Sequence, residues 1–290
     1  MKRILKWFGV VLGGLMILAL GAAGGIYIRS EQITRRTYDL PLSTVTLPTD
    51  SLALAEGQRL ATIRGCYDDC HGKQLDGGVW IDEPMLARVV APNLTQVASH
   101  FTDAELELVI RHGVRPNGKS TLGMPSSMFY HLSDEDLGAI IAFIRAAPLT
   151  EGPATEIRLG PLARLGLVLG KYVPQARLID HEAPRIAVGD TSNHMVFGKY
   201  LALTSCSECH GMDLKGSTAM SSPDLIIAAA YSDDAFARLM RTGIALGDRE
   251  LATMSGVARR RFAHFTDGEI RALHDYLRTL SSASSEEGAL

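Results

Sequence analysis

Two short strings of cysteine and histidine carry the chemistry that this sequence can perform. Residues 206–210 read Cys-Ser-Glu-Cys-His, and residues 66–71 read Cys-Tyr-Asp-Asp-Cys-His. Two thiols one helical turn apart can attack the vinyl groups of one haem, and a histidine directly after them can ligate the iron. A zinc half-site or a dithiol redox pair is the alternative, but zinc requires a second Cys or Cys/His pair nearby and none follows. The strings therefore predict two covalent haem c groups, with thioether bonds and iron ligands at Cys66, Cys70, His71, Cys206, Cys209 and His210.

The two strings lie in the two copies of an internal repeat. The runs GQRLA at 57–61 and GKYLA at 198–202 precede them, and PNL at 92–94 and PDL at 223–225 follow them. Each copy ends in an apolar-periodic run, which predicts a helix. These helices open with N-cap signatures at Ser133 and Thr266.

This pattern resembles the class I cytochrome c family in both halves of the chain. The runs APNLT at 91–95, Met-Pro at 124–125 and Leu-Ser-Asp at 132–134 also have counterparts in cytochrome c subunits of membrane-associated bacterial dehydrogenases. The resemblance implies an all-α fold of two tandem class I cytochrome c domains after an N-terminal transmembrane helix. It also implies that the helices at Gly57 and Gly198 closely approach the C-terminal helix of their own copy. The predicted segments are an anchor at 1–36, a tether at 37–51, cytochrome c domain 1 at 52–150, a connection at 151–190, cytochrome c domain 2 at 191–282 and a disordered tail at 283–290.

The resemblance assigns a methionine opposite each axial histidine. Met254 is the expected ligand in the second copy and Met124 in the first, with Met128 in the same loop as the alternative. The backbone carbonyls of Pro92 and Pro223 are expected to accept a hydrogen bond from the axial histidines, which fixes the tautomer. Met212, Met220 and Met240 compete with Met254 for the sixth position, and of these Met240 is expected to pack in the core because it falls inside a helical run. His112 and His131 could also ligate the first iron, but both are expected to be surface or packing histidines.

The first string departs from the family pattern by one residue. Three residues separate Cys66 from Cys70, where the second string has two. The extra residue must be looped out or absorbed in a widened turn if both thioether bonds form. This leaves the attachment of Cys66 open and affects His71 little.

The N-terminal segment predicts a membrane anchor. The 22 residues from Trp7 to Ile28 carry no charge, which is long enough to cross a hydrocarbon core of about 30 Å as a helix. A cleaved secretory signal is the alternative, with small residues at 19–23, but the apolar run exceeds a typical signal core. Covalent haem attachment in the resembled family takes place after export. The predicted location is therefore the bacterial inner membrane, single-pass, with the haem domains in the periplasm.

Charge and ligand set together limit the classes of function. The formal net charge of -3 provides no basic field, so nucleic acid is not expected as a partner. A methionine opposite a histidine closes the sixth position and favours outer-sphere electron transfer over catalysis. We expect a di-haem carrier between an exported dehydrogenase or quinol-oxidising complex and a terminal oxidase or soluble cytochrome. The alternatives are a di-haem enzyme, such as a peroxidase or sulfur-compound dehydrogenase, and a non-catalytic haem subunit of a respiratory complex.

Overall fold

The N-terminal segment forms one long helix. The structure, a computed structural model, describes residues 2–188 and 191–287, with side chains described through Ser281. Helix α1 (Lys2–Thr34) exposes its large apolar side chains, including Leu15 and Ile17. Within the described residues it is the one helix with the length and apolar composition to cross a membrane. This fits the predicted anchor.

The segment after α1 lies along the first half of the chain instead of standing free as a tether. The Tyr38 N–H donates to the Gly118 carbonyl at 2.8 Å. Val45 is buried in the main core, and the Thr46 carbonyl packs against Gly138. The segment is extended as its prolines predict, and it is held by the apolar side chains that it buries.

The first half is built from helices around a common core. In chain order these helices are α2 (Ser51–Ile63), α3 (Leu94–His100), α4 (Asp103–His112), α5 (Ser126–Phe129) and α6 (Asp134–Ala146). Helix α6 begins at the predicted N-cap, where the Ser133 hydroxyl accepts from the Asp136 N–H at 3.0 Å. This cap is confirmed, and it satisfies one of the free N–H groups of the first turn.

The first half and the connection contain strands that the all-α prediction did not include. Strands β1 (Gly78–Glu83), β2 (Ala87–Ala91) and β3 (Glu156–Leu159) form an antiparallel sheet in the order β1-β2-β3. The fold is mostly helical, so the prediction is correct only in part. Residues 79–81 and 89–90 are β-branched or aromatic, a composition that favours strands. Strand β3 is followed by α7 (Pro161–Val168) and α8 (Gln175–Leu178).

The second half repeats the helical arrangement of the first. Its elements are α9 (His194–Ser205), α10 (Ser207–His210), α11 (Asp233–Thr242), β4 (Ile244–Ala245), β5 (Arg249–Glu250), α12 (Ala252–Arg260) and α13 (Asp267–Glu287). The predicted capping box is confirmed, because Thr266 Oγ1 accepts from the Glu269 N–H at 3.2 Å and Glu269 accepts from the Thr266 N–H at 2.7 Å.

Helix α13 is longer than composition suggested. It continues to Glu287, so residues 283–287 of the predicted disordered tail are helical. Once a helix is nucleated, each added residue gains one backbone hydrogen bond, which extends it through polar residues. Residues 288–290 of the predicted tail, and residues 189–190 at the boundary of the connection, lie outside the described residues.

Two glycines allow the helices of each copy to cross at close range. A Cβ on Gly57 would overlap the Ala139 carbonyl oxygen of α6 and lie 3.1 Å from Phe143 Cβ. A Cβ on Gly198 would overlap the Ala272 carbonyl oxygen of α13 in the same way. The close approach implied by the family resemblance is confirmed in both copies.

The two halves are joined by a shared core and by a charged contact. One hydrophobic cluster includes Leu137 of the first half and Leu273 of the second, both nearly fully buried. Arg59 of α2 donates to both carboxylate oxygens of Glu269 in α13, at 2.7 and 2.9 Å. Bidentate pairs of this kind fix orientation as well as distance. The halves are therefore held in a defined relative position.

Candidate haem-binding sites

The first cysteine string folds into a widened turn that absorbs its extra residue. Residues Cys66–Cys70 form an irregular turn in which Asp68 has a φ of 59°, in the left-handed region. The Asp68 N–H donates to the Gly72 carbonyl at 3.1 Å, and the Cys70 N–H donates to the Gly65 carbonyl at 3.1 Å. The turn thus closes with both cysteines on one local element, although three residues separate them.

The second cysteine string forms one regular helical turn. Residues Ser207–His210 make up α10, and the His210 N–H donates to the Cys206 carbonyl at 3.0 Å. Burial raises the pKa of Cys206 to about 12, and burial likewise raises the pKa of Cys66 to about 12. Both thiols are therefore protonated at neutral pH.

Each histidine of the two strings is held by a proline carbonyl. His71 Nδ1 lies 2.9 Å from the Pro92 carbonyl oxygen, and His210 Nδ1 lies 2.8 Å from that of Pro223. A carbonyl can only accept, so Nδ1 carries the hydrogen and Nε2 keeps the lone pair that a metal needs. Burial lowers the pKa of both imidazoles, and the carbonyl hydrogen bond opposes this only in part. Both rings are therefore neutral, which is the form that ligates iron.

A cavity of about 320 Å³ opens beside the first string. Its wall includes Cys66, Cys70 and His71 from the string and Met124 from the loop before α5. Most of the wall is apolar, and the residues that contribute include Trp80, Val90, Leu94, Phe129 and Ile144. An apolar cavity with thiols and an imidazole on one side suits a flat hydrophobic macrocycle.

Met124 and Met128 differ in their relation to this cavity. Met124 is partly buried and lines the cavity, whereas Met128 lies in the hydrophobic core with only 1% of its surface exposed. Met128 is not among the residues of the cavity wall. This geometry favours Met124 as the thioether ligand.

Two arginines of the wall bring buried, unpaired guanidinium nitrogens to the cavity. Nε of Arg115 and all three guanidinium nitrogens of Arg64 have no hydrogen-bond partner among the described residues. Asp136 lies 3.9 Å from Arg64, too far for a hydrogen bond. Leaving buried charged donors unpaired is costly. Haem carries two carboxylates, so these arginines, which the sequence analysis missed, fit a haem as carboxylate partners.

The predicted ligand of the second site occupies a helix instead of a loop. Met254 lies in the first turn of α12, is partly buried, and packs against the core that Cys206 also contacts. Of its competitors, Met240 is buried in the core, while Met212 and Met220 are about half exposed. Of these four methionines, Met254 is the one that is partly buried and packs against the core.

The two histidines considered as alternative ligands have other contacts. His112 Nδ1 lies 2.9 Å from His181 Nδ1, and its ring packs edge-on against Tyr130. His131 packs edge-on against the same tyrosine. Neither histidine is among the residues of the cavity wall.

A single arginine from the second half connects the two cysteine strings. Arg261 donates through Nε to Asp69 at 2.7 Å and through a terminal nitrogen to Glu208 at 2.7 Å. Its other terminal nitrogen lies 3.9 Å from Cys70 Sγ. Burial disfavours the charge on Arg261, but Glu208 and Asp69 together raise the pKa of the guanidinium above its ordinary value.

The sequence analysis missed Arg261 because no local pattern marks it. The arginine lies 192 residues after Asp69, and the signal available was the acidic residues inside the strings, two in the first and one in the second. Glu208 also lines the cavity beside the first string. The two strings therefore face one another across one guanidinium.

The comparisons with known proteins agree with this site chemistry. Residues 196–281 match the family model for cytochrome c. The second half is therefore similar to cytochrome c domains, a family that binds haem c covalently and serves electron transfer. The first half lies outside the matched residues, and it resembles the second through the internal repeat described above.

The chain as a whole is similar to cytochrome subunits of dehydrogenases. It is 24% identical over 284 residues to "Alcohol dehydrogenase (quinone), cytochrome c subunit" of Komagataeibacter europaeus, covering 84% of this chain and 59% of that protein. It is 24% identical over 279 residues to "Fructose dehydrogenase cytochrome subunit" of Gluconobacter japonicus, covering 84% and 56%. The chain thus spans little more than half the length of these relatives.

Proposed function

We propose that this chain is a membrane-anchored di-haem subunit that relays single electrons from an exported dehydrogenase to a later acceptor. The observation that carries the proposal is the buried Arg261, which ties the two Cys/His strings to each other. Electron tunnelling falls steeply with distance, so two centres held side by side in one chain can serve as successive steps. The similarity to dehydrogenase cytochrome subunits supports a dehydrogenase as the donor.

The residues of the chain would prepare each site for one-electron chemistry. Haem, when bound, supplies an iron that alternates between two oxidation states. The proline carbonyls orient His71 and His210 and keep Nε2 free for the metal. Met124 and Met254 would fill the opposite positions, and a thioether there favours the reduced iron relative to a second imidazole. The mostly apolar cavity wall would limit the access of water to the first site.

The remaining parts of the proposal concern organisation and location. Two tandem cytochrome c domains, at 52–150 and 191–282, would each hold one haem c. Helix α1 would anchor the chain in the bacterial inner membrane with both domains in the periplasm. A quinol-oxidising complex is the alternative donor, and a terminal oxidase or soluble cytochrome the acceptor.

The first test is the number of haems. Pyridine haemochrome quantitation against protein concentration is expected to give two haem c per chain, because both strings present two thiols and an oriented histidine. Intact mass after acid-acetone extraction should include both covalent additions. Cys66→Ala should weaken attachment in the first half only, and Cys206→Ala in the second only. A ratio of one haem per chain would remove the di-haem proposal.

The second test distinguishes the methionines of the first site. Met124→Leu is expected to remove about half of the far-red sulfur-to-iron band and to open the first iron to carbon monoxide. Met128→Leu is the matched control in the same loop, and it should keep the band because Met128 is a core residue. Loss of the band in the control alone would transfer the ligand role to Met128. A wild-type iron that already binds carbon monoxide would favour the enzyme alternative.

A further inference from the structure

Helix α7 is fastened to the outer end of the membrane anchor. Arg164 of α7 donates to Ser30 Oγ at 2.8 Å and to Glu31 at 2.9 Å, and its guanidinium lies 4.2 Å from the centre of the Tyr27 ring. Tyr27 lies at the end of the uncharged run, which ends at Ile28, and Ser30 and Glu31 follow within three residues. Because Ser30 is fully buried and Glu31 partly so, this contact fixes the position of α7 relative to α1.

An exposed apolar surface surrounds this attachment point. Leu162 and Leu169 are seven residues apart on or next to α7, so they share one helix face, and they are 54% and 62% exposed. The turn between β1 and β2 adds Met85, which is 59% exposed, and Leu86. The Leu162 N–H donates to the Met85 carbonyl at 3.0 Å, so turn and helix are adjacent. We call these four residues the α7 surface.

The α7 surface lies beside the outer end of α1, to which Arg164 fastens it. About 20 helical residues cross the hydrocarbon core, so an anchor from Trp7 to Ile28 places Tyr27 to Glu31 at the level of the headgroups. Arg164 holds α7 at this level, within one helical turn of the end of the apolar run. Exposed leucine and methionine side chains at that level are in the position where interfacial helices bury an apolar face.

We infer that the α7 surface is a bilayer-contact site, which presses the first cytochrome half onto the outer leaflet beside its anchor. Its occupant is lipid acyl chain near the glycerol level, and the contact sets the orientation of the first site relative to the membrane. The inference rests on the part of the proposed function in which α1 spans a bilayer. It does not depend on the number of haems or on the axial ligands.

Photo-crosslinking of the full chain in phosphatidylcholine vesicles tests the inference. Benzoylphenylalanine is placed at Leu162 or Met85, and at Leu246 as the control, which is an exposed apolar position in the second half. A fourth variant carries it at Leu15, in the middle of the anchor. After irradiation, mass spectrometry measures the lipid adduct at each position. All positions are exposed, and an unchanged haem absorption spectrum verifies folding.

The expected result is a lipid adduct at Leu162 and Met85 several-fold above that at Leu246, and of the same order as that at Leu15. The inference is overturned if Leu15 labels lipid while Leu162 and Met85 remain at the level of Leu246. It is also overturned if Leu162 crosslinks to a second copy of the chain, since protein then covers the surface. Absence of adduct at Leu15 would instead refute the anchor itself, and the inference with it.

Discussion

Gly198→Ala is expected to destabilise the second cytochrome half by about 2 kcal/mol. The added Cβ would overlap the Ala272 carbonyl oxygen and lie 2.6 Å from Tyr276 Cβ, so α9 and α13 must move apart. Overpacking of this kind costs about 1–3 kcal/mol, and a backbone obstacle places it at the upper end. The better helix propensity of alanine returns up to about 1 kcal/mol. Thermal unfolding followed by far-UV circular dichroism measures the difference.

Gly268→Ala is the matched control for this substitution. It lies in the first turn of α13, and the nearest atom to a Cβ added there is Thr266 Oγ1 at 4.0 Å. Alanine there should leave the melting temperature unchanged or raise it slightly. If the Gly198→Ala and Gly268→Ala proteins have the same melting temperature, the close crossing of α9 and α13 does not require a glycine at position 198. Gly57→Ala should repeat the effect of Gly198→Ala in the first half, since its Cβ would overlap the Ala139 carbonyl oxygen.

Arg261→Gln is expected to loosen the two cysteine strings from each other. Glutamine leaves Asp69 and Glu208 without their cation, although their side chains are only 25% and 19% exposed. Removing one partner of a buried pair costs about 3–5 kcal/mol, and partial exposure here reduces the expected loss to about 2–3 kcal/mol. Both midpoint potentials should also fall, because removing a positive charge beside the sites disfavours the added electron. Redox titration and thermal unfolding measure the two effects.

Two further variants separate the charge of Arg261 from its geometry. Arg259→Gln is the matched control, because it breaks a surface ion pair between Arg259 of α12 and Glu250 at 3.1 Å. Its cost should stay below about 1 kcal/mol, with both potentials unchanged. Arg261→Lys keeps the charge but cannot bind two carboxylates as a fork. In Arg261→Lys the two midpoint potentials should therefore stay close to the wild-type values, while the free energy of unfolding should still be lower than that of the wild-type protein. If Arg261→Gln and Arg259→Gln change the potentials and the stability equally, Arg261 does not hold the two cysteine strings together, and the proposed function loses this support.

The sequence by itself determined the features that depend on local spacing. A thioether pair with its histidine needs fixed separations within six residues, so both strings are readable without tertiary structure. The same applies to the caps at Ser133 and Thr266, whose bonds reach three residues along the chain. The family resemblance added the prediction that helices cross closely at Gly57 and Gly198. The identical placement of a glycine in both copies favours this packing role.

The tertiary structure decided the features that join distant residues. Strand β3 pairs with β2 although helices α3 to α6 lie between them in the chain, and a four-residue strand has too few residues to show a period in sequence. The cavity favours Met124 over Met128 because packing, not spacing, decides which side chain faces the open space. Arg261 meets Asp69 only after both halves have folded onto one core. A guanidinium can pair with any carboxylate that the fold brings near, so its partners are set by the packing of the halves and by no pattern within either string.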